Sequence, residues 1–309
     1  MMRIYHSLEE FTRLPHAVVT QGTFDGVHEG HRTILNRLTE RAREQKGESV
    51  VLTFFPHPKM VLFPDDNSIQ LINTLEENCQ SLEKEGIDHL IILRFTEEFS
   101  RLSAVQFVRN VLVNAIGTRH LIVGYDHRFG HHREGGFEEL TEMSGLYNFT
   151  LEQIPEVDIN RIAVSSTKVR HAIHRGDMQT ARDYLGRNFL ISGNVVEGNK
   201  LGRTIGFPTA NIRIEEKYKI IPGEGVYAVR VHRGDRIYGG MLNIGKRPTF
   251  DGKTQQIEVH IFNFDDSIYG EHLTLEVILK TRDEVKFESA DALVKQLHAD
   301  ATQIKEILG

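Results

Sequence analysis

The chain has 309 residues, of which 39% are hydrophobic and 26% charged, and its formal net charge at pH 7 is −6. This length predicts about two domains, each able to bury its own core, and no apolar run approaches the roughly 20 residues of a membrane helix. The acidic balance argues against a general affinity for nucleic acid, and a single cysteine, Cys79, excludes an internal disulfide and a cysteine-rich zinc module.

Short β-rich runs alternate with amphipathic helical patterns between residue 16 and about residue 155. The predicted strands are 16–22, 49–55, 89–95 and 120–124. The predicted helices are 28–46, 74–86, 103–116 and 136–146. Such alternation predicts a parallel sheet with helices on both faces, and ligands at the carboxyl ends of its strands.

The first predicted strand runs into the sequence Gly-Thr-Phe-Asp-Gly-Val-His-Glu-Gly-His at residues 22–31. Its glycines let the backbone approach a bound group, and the free N–H groups of the helix start attract an anion. His28 and His31 are three residues apart and fall on one helical face. The stretch suits a phosphate in nucleotide transfer, although a metal half-site or two unrelated surface histidines have the same spacing.

Two later strand ends also carry polar side chains. His57 lies between two prolines, where a rigid loop with a surface histidine is the simpler interpretation. After the strand at 120–124, Gly124 permits close approach, while Asp126 and Arg128 offer an acceptor and a cation. The histidines at 127, 131 and 132 predict a polar loop rather than a metal site, because no cysteine or suitably spaced carboxylate completes a coordination sphere.

The segment Val-Ser-Ser-Thr-Lys-Val-Arg at residues 164–170 precedes a helical run predicted at 171–175. Ser165 or Ser166 could simply cap that helix. The same hydroxyls, with the cations that follow them, could instead hold a triphosphate.

The hydrophobic period changes after a helix predicted at 178–185. The predicted strands are now 189–197, 225–232, 236–244, 256–264 and 273–281, followed by a helix at 289–308. Several strands followed by one helix predict an antiparallel barrel closed by the C-terminal helix. We therefore predict two domains, 1–185 and 186–309.

Two stretches of the second domain mimic nucleotide-binding motifs. Residues 198–204 resemble a phosphate-binding loop but lack its Gly-Lys-Ser/Thr ending, and no helix signal follows them. Residues 223–228 fit a dinucleotide-binding glycine pattern but lead into a β-rich run. Because both motifs need a helix after the glycines, neither usual assignment is supported.

A hydroxyl, an amide and a carboxylate are the candidate groups of the second domain. Thr209 and Asn211 point the same way in an extended chain and could bind a metal that carries nucleotide phosphates, whereas an ordinary turn is the alternative. Side chains in the predicted strand 256–264 alternate between its two faces, so Glu258 shares a face with His260. A carboxylate at a barrel mouth could accept a hydroxyl proton, unless it is a solvent-facing residue of an edge strand.

Motifs in both halves resemble those of the bacterial bifunctional riboflavin kinase/FAD synthetases. Residues 22–31 resemble the family signature Gly-x-Phe-Asp-Gly-x-His-x-Gly-His, and residues 165–170 resemble Ser-Ser-Thr-x-Ile/Val-Arg. Residues 123–130 resemble Val-Gly-x-Asp-Phe-x-Phe-Gly, with His127 where phenylalanine is usual. The stretches 202–211, 243–250, 258–262 and 282–287 resemble the riboflavin kinase module in order and spacing.

This resemblance implies a Rossmann-like nucleotidyltransferase domain with a parallel sheet, then a riboflavin kinase β-barrel with a C-terminal helix. It implies that His28 and His31 stabilise transition-state charge and that Glu258 is the general base for the riboflavin 5′-hydroxyl. The ATP-binding residues it implies for the first domain are Gly22, Phe24, Gly124, Asp126, Ser166, Thr167 and Arg170. The ATP- or flavin-binding residues it implies for the kinase are Gly202, Gly206, Pro208, Thr209, Asn211 and Arg282, with Mg²⁺ (as Mg²⁺-ATP) at Thr209 and Asn211.

The implied partners are riboflavin, FMN, FAD, ATP, ADP and pyrophosphate, with no nucleic acid and no membrane, while a homo-oligomer stays open. The first residues lack the apolar core of a signal peptide, so we expect a cytoplasmic protein. A nucleotidyltransferase with another acceptor, such as a pantetheine phosphate or nicotinate nucleotide, would have no use for the Pro-Thr-Ala-Asn module. A flavin-binding protein without turnover is disfavoured because every implied catalytic residue is present.

Overall fold

The computed structural model describes residues 1–66, 68–125, 127–155, 164–198, 201–249 and 252–309. By its internal contacts the chain divides into two compact units, Met1–Ser166 and Thr167–Gly309. The predicted fold class, a parallel sheet followed by an antiparallel barrel with a C-terminal helix, is confirmed. The division lies ahead of the boundary predicted after residue 185, which stays a prediction.

The first unit contains a six-stranded sheet in the order β1-β4-β3-β2-β5-β6. Its strands are β1 (Arg3–Tyr5), β2 (Ala17–Gln21), β3 (Glu48–Phe55), β4 (His89–Arg94), β5 (Thr118–Gly124) and β6 (Thr150–Ile154). Every pair is parallel. The four central strands match the predicted ones, whereas the two edge strands were not predicted.

Helices cover both faces of this sheet. They are α1 (Glu29–Glu44), α2 (Pro58–Leu62), α3 (Leu75–Lys84), α4 (Glu97–Ser100), α5 (Ala104–Phe107), a π-helix (Val108–Ile116) that continues α5, a 3₁₀ turn (His131–Arg133) and α6 (Phe137–Tyr147). Strand side chains alternate between the faces, so Val19 belongs to one buried cluster and Val18 to the other. Both faces of the sheet are therefore core, as a parallel sheet requires.

The second unit is a closed barrel in the order β10-β11-β8-β7-β12-β9. Its strands are β7 (Phe189–Val196), β8 (Ala210–Arg213), β9 (Gly225–Arg233), β10 (Arg236–Thr249), β11 (Gly252–Ile261) and β12 (His272–Arg282). Its helices are α7 (Ser166–Arg175), whose first residue belongs to the first unit, α8 (Met178–Leu185), α9 (Leu201–Thr204) and α10 (Ala290–Leu308).

One predicted helix start was wrong. Helix α7 begins at Ser166 rather than at residue 171, because Val169, Ala172 and Ile173 form a buried helical stripe that includes the earlier residues. Helix α9 is a single turn within the stretch that resembles a phosphate-binding loop, and the next element of the described chain is strand β8, as expected from the missing helix signal.

The barrel has two distinct faces on strands β9, β10 and β11. Tyr227, Leu242 and Val259 are in register and fully buried, which marks the interior. The alternate residues Val226 and Met241, by contrast, pack with residues of α10. Helix α10 therefore lies on the outer face of the barrel.

Among the described residues, no helix is both long and apolar enough to cross a membrane.

Candidate functional site

The turn between β2 and α1 has an unusual backbone. Phe24, Gly26 and Val27 have positive φ angles of 46°, 83° and 42°, a region that costs energy for residues other than glycine. A Cβ on Gly26 would lie 2.9 Å from the Ile72 side chain. The turn therefore needs glycine at this position and is held in one conformation by its neighbours.

Asp25 anchors the turn to two other parts of the chain. Its carboxylate accepts the backbone N–H of Ile72 at 2.9 Å and that of Asn73 at 3.4 Å. Its carbonyl accepts the Ser166 hydroxyl at 3.3 Å. The structure thus brings the first residue of α7 to the predicted phosphate-binding turn.

His28 and His31 form a stacked pair at the start of α1. The His28 side chain caps the helix, because its Nδ1 accepts the backbone N–H of His31 at 3.3 Å. An accepting nitrogen carries no proton, so neutral His28 has its proton on Nε2. The two rings are 3.7 Å apart and nearly parallel, at 12°, and the ring of Phe24 packs against His31 at 5.2 Å.

The surroundings of His31 favour its neutral imidazole form. Burial, and then the neighbouring His28, hold the pKa of His31 well below its ordinary value. The Nδ1 atom of His31 is buried and has no hydrogen-bond partner among the described residues. A buried polar atom without a partner is costly, and a ligand group could satisfy it here. The free N–H groups of a helix start favour an anion, so the start of α1 and the two rings are a candidate anion site.

The structure places the other predicted residues of the first site as follows. Gly22 lies beside the Phe24 ring, which would be 3.1 Å from a Cβ on Gly22. Gly124 is buried at the end of β5. Asp126 lies outside the described residues, and Thr167 and Arg170 follow Ser166 in α7, within the second unit.

Three other candidate histidines of the first unit lie outside the pair formed by His28 and His31. His57 caps α2 by accepting the Lys59 N–H at 3.2 Å. The rings of His131 and His132 are 3.8 Å apart. Within the described ranges, no group of three histidine, cysteine, aspartate or glutamate residues could hold a metal ion.

A row of side chains crosses the barrel at the position of Glu258. Glu258 on β11 is in register with Asn211 on β8 and with Asn243 on β10, so the three side chains share a face. The next residue of the row is Val226, which packs with α10. Glu258 therefore lies on the outer face of the barrel. Its neighbours Ile257 and Val259 in β11 are buried, and the predicted position of Glu258 at a barrel mouth stays a prediction.

The glycines near Thr209 and Asn211 make room for these side chains. A Cβ on Gly198 would lie 2.1 Å from Nδ2 of Asn211, and one on Gly202 would lie 2.2 Å from the Phe207 carbonyl oxygen. Gly206 also has a positive φ of 81°. Thr209, which is exposed, and Asn211 offer a hydroxyl and an amide oxygen, which are donors of the kind that Mg²⁺ prefers, so these two residues fit the implied metal.

Arg282 is held by a buried carboxylate of α10. Its Nε donates to both oxygens of Asp300 at 3.0 Å, and its Nη2 donates to Oδ2 at 2.7 Å. Asp300 is 1% exposed and also accepts the Gln296 amide at 2.8 Å. Arg282 thus ties the end of β12 to the helix, and its predicted role in ligand binding stays a prediction.

Sequence reasoning assigned no role to Asp25, His260 or Asp300. Asp25 lies inside the recognised motif, and His260 was noted only as sharing a face with Glu258. Asp300 gives no signal, because a single aspartate in an amphipathic helix reads as a solvent-facing residue.

The two units define a class of protein: a parallel-sheet unit with a candidate anion-binding turn at the end of β2, followed by a closed β-barrel unit with a candidate metal-binding row. Two family models match, FAD synthetase over residues 11–168 and riboflavin kinase over residues 185–308. The chain belongs to the bifunctional riboflavin kinase/FMN adenylyltransferase family.

Full-length relatives support this assignment. The bifunctional riboflavin kinase/FMN adenylyltransferase of Haemophilus influenzae is 38% identical and aligns over 98% of both chains. That of Escherichia coli strain K12 is 36% identical over all of this chain and 98% of its own. A crystal structure described as a macrolide-efflux protein from Streptococcus pneumoniae is 32% identical over 98% of both chains, with a TM-score of 0.88. The description belongs to that protein, and the likeness supports the fold.

Proposed function

We propose that this protein makes FAD from riboflavin in two ATP-dependent steps. The kinase transfers the γ-phosphate of ATP to the riboflavin 5′-hydroxyl and gives FMN and ADP. The adenylyltransferase then lets the FMN phosphate attack the α-phosphate of a second ATP, which gives FAD and pyrophosphate. The observation that carries the proposal is that one chain of this family holds both the stacked histidine pair and the row containing Asn211 and Glu258.

In the kinase step, we assign Glu258 as the base that takes the proton of the 5′-hydroxyl while the oxygen attacks the γ-phosphorus. Thr209 and Asn211 would hold Mg²⁺-ATP. The metal, when bound, neutralises charge on the β- and γ-phosphates. Gly202, Gly206, Pro208 and Arg282 are the remaining proposed ATP- or flavin-binding residues, and the first two allow the chain to fold around the phosphates.

In the adenylyl transfer step, no base is needed, because the attacking FMN phosphate is already an anion. Charge builds up on the oxygens around the α-phosphorus, and the Nε2–H of His28, the His31 ring and the start of α1 are proposed to stabilise it. The proposed ATP-binding residues are Gly22, Phe24, Gly124, Asp126, Ser166, Thr167 and Arg170. Neither step forms a covalent protein intermediate, since both depend on in-line positioning.

We propose further that residues 1–185 carry the adenylyltransferase and residues 186–309 the kinase. A cytoplasmic location is proposed as well, because both reactions consume ATP.

The test is to incubate the purified protein with riboflavin, ATP and Mg²⁺ and to separate the flavins by chromatography over time. FMN should appear first and FAD after it, in step with pyrophosphate release. FMN without FAD would refute the adenylyltransferase assignment. The absence of both products would favour a flavin-binding protein without turnover.

A further inference from the structure

We propose that His260 is a positioning residue of the kinase, which holds the backbone at Pro208 so that Thr209 stands at a fixed place beside Glu258. The inference rests on the proposed kinase function. It adds a residue that acts on the proposed phosphate-binding segment through one hydrogen bond.

The segment ahead of β8 leaves the sheet where the phosphate-binding residues lie. Strand β8 pairs with β11 at two positions, Asn211 with Glu258 and Ala210 with Val259. Thr209 and Pro208 precede that pairing and are exposed, and proline has no N–H with which to join a ladder. The place of Thr209 therefore depends on contacts outside the sheet.

His260 supplies such a contact. Its Nδ1 lies 2.8 Å from the carbonyl oxygen of Pro208. A carbonyl oxygen only accepts, so Nδ1 carries the proton and donates it. This bond joins β11 to the residue immediately before Thr209.

Aromatic packing fixes the direction of the His260 ring. Phe207 meets the ring edge-on at 5.1 Å and 60°, and Phe262 does so at 5.7 Å and 74°. Phe207 in turn meets His298 of α10 at 4.9 Å. Because these rings restrict rotation of the imidazole, Nδ1 stays directed at Pro208.

The position of His260 in β11 links its hydrogen bond with Pro208 to the proposed base Glu258. Glu258 and His260 are two residues apart and point to the same face of the strand. One strand thus carries the proposed base and, through His260, holds the segment with the proposed metal ligand Thr209. The bond sets the separation between base and ATP phosphates, on which in-line transfer depends.

The experiment compares three variants at this position. In His260→Asn the side-chain N–H₂ occupies about the place of Nδ1 and can donate to the Pro208 carbonyl. In His260→Gln the amide reaches the place of Nε2 and cannot donate there, and His260→Phe keeps the ring without a donor. His272→Phe is the matched control, because His272 is an exposed barrel histidine whose Nδ1 contacts the Asn194 side chain at 3.2 Å.

Steady-state rates of riboflavin phosphorylation are measured against Mg²⁺-ATP and against free Mg²⁺, and FAD formation from supplied FMN reports on the integrity of the first unit in each preparation. His260→Phe and His260→Gln should raise KM for Mg²⁺-ATP by about tenfold, the value of one hydrogen bond, and should require more Mg²⁺. His260→Asn and His272→Phe should remain within about threefold of wild type.

Equal KM values for the asparagine and glutamine variants, or a wild-type KM in His260→Phe, would overturn the proposal. The contrast between the two amides holds even if the phenylalanine variant does not fold, since they differ by one methylene. A wild-type protein that forms no FMN would instead refute the proposed kinase, and the positioning role with it.

Discussion

At the scale of single residues, the two sites use imidazole and carboxylate in different ways. The His28 and His31 rings stack at 3.7 Å, and burial keeps the His31 pKa low, so the His31 imidazole stays neutral, and the pair is proposed to offer hydrogen-bond donors to developing charge. Glu258 stands in a row with Asn211 and Asn243 and is proposed to act as a proton acceptor. Substitutions should therefore separate the two reactions.

His31→Ala should lower the rate of FAD formation from FMN by about 100-fold or more, the usual cost of removing a transition-state donor. FMN formation from riboflavin should stay at the wild-type rate, because His31 lies in the first unit. Both rates can be measured by chromatography of the flavins. His6→Ala, which alters an exposed histidine, is the control, and unchanged FAD output from His31→Ala would contradict the assigned role.

Glu258→Gln should remove riboflavin phosphorylation and leave FMN adenylylation intact, because glutamine keeps the shape but cannot take up the proton. The same change at Glu276, a half-buried carboxylate of β12 that accepts from Asn188, should leave both rates near wild type. A kinase that survives Glu258→Gln would require another base.

His31 should also make stability depend on pH. Its pKa is lowered in the folded protein from about 6.5, so above that pH both folded and unfolded states carry neutral imidazole. As the pH falls below that value, the unfolded state takes up a proton that the folded state resists, and stability decreases by at most about 1.4 kcal/mol per pH unit.

His31→Phe keeps a ring in the stack and removes this titration. The free energy of unfolding by urea, measured at pH 7.5 and 5.5, should therefore fall less in the variant, by about 1 kcal/mol. His120 and His174, whose pKa values burial also lowers, contribute equally to both proteins. Parallel pH curves would show that His31 does not resist protonation.

At the scale of elements, the end of β12 and helix α10 are joined by one ion pair. Arg282 and Asp300 share several hydrogen bonds with the carboxylate buried. Removing one partner leaves an uncompensated charge. Arg282 thereby holds α10 on the outer face of the barrel, the face on which Glu258 also lies.

Asp300→Ala should lower the free energy of unfolding by about 3–5 kcal/mol, measured by urea titration. Asp283→Ala is the control, because it breaks an ion pair between the exposed Asp283 carboxylate and Lys280. This change should lower the free energy of unfolding by less than about 1 kcal/mol. Similar losses of unfolding free energy in the two variants would mean that burial does not strengthen the ion pair between Arg282 and Asp300.

Elements that carry their own signal could be predicted from the sequence. The central strands are apolar runs, and α1, α3, α8 and α10 have clear helical periods, so their positions were predicted within a few residues. The edge strands β1 and β6 and the four-residue β8 are too short and too polar for such patterns. They form because distant strands offer hydrogen-bond partners. For the same reason the contacts of Asp25 with Ile72, and of Arg282 with Asp300, could not be predicted.

At the scale of the whole molecule, the chain is two compact units whose division by contacts lies ahead of the predicted boundary. Helix α8 packs against β7 and β12, and the Gly223 N–H donates to the Ile173 carbonyl of α7 at 3.2 Å. These contacts indicate that α7 and α8 stabilise the barrel.

A fragment of residues 167–309 should therefore melt at least about 5 °C higher than a fragment of residues 186–309, since about 1 kcal/mol corresponds to 4–8 °C in a domain of this size. Circular dichroism on heating measures the difference, and the kinase rate of each fragment shows whether the helices also support activity. Equal melting temperatures would place both helices outside the barrel's folding unit.

The sheet of the first unit and the barrel of the second also differ in their tendency to aggregate through open strand edges. The strands of the second unit form a closed barrel, whereas the parallel sheet ends in β1 and β6, whose outer backbone groups could pair with another chain. Strand β1 has only three residues, and β6 carries Glu152, which is paired with Arg37 and Arg41 of α1. Short length and charge protect these edges. Aggregation of this protein under stress should accordingly begin in the first unit. Loss of the charges around Glu152 would leave the edge strand β6 open to pairing with another chain.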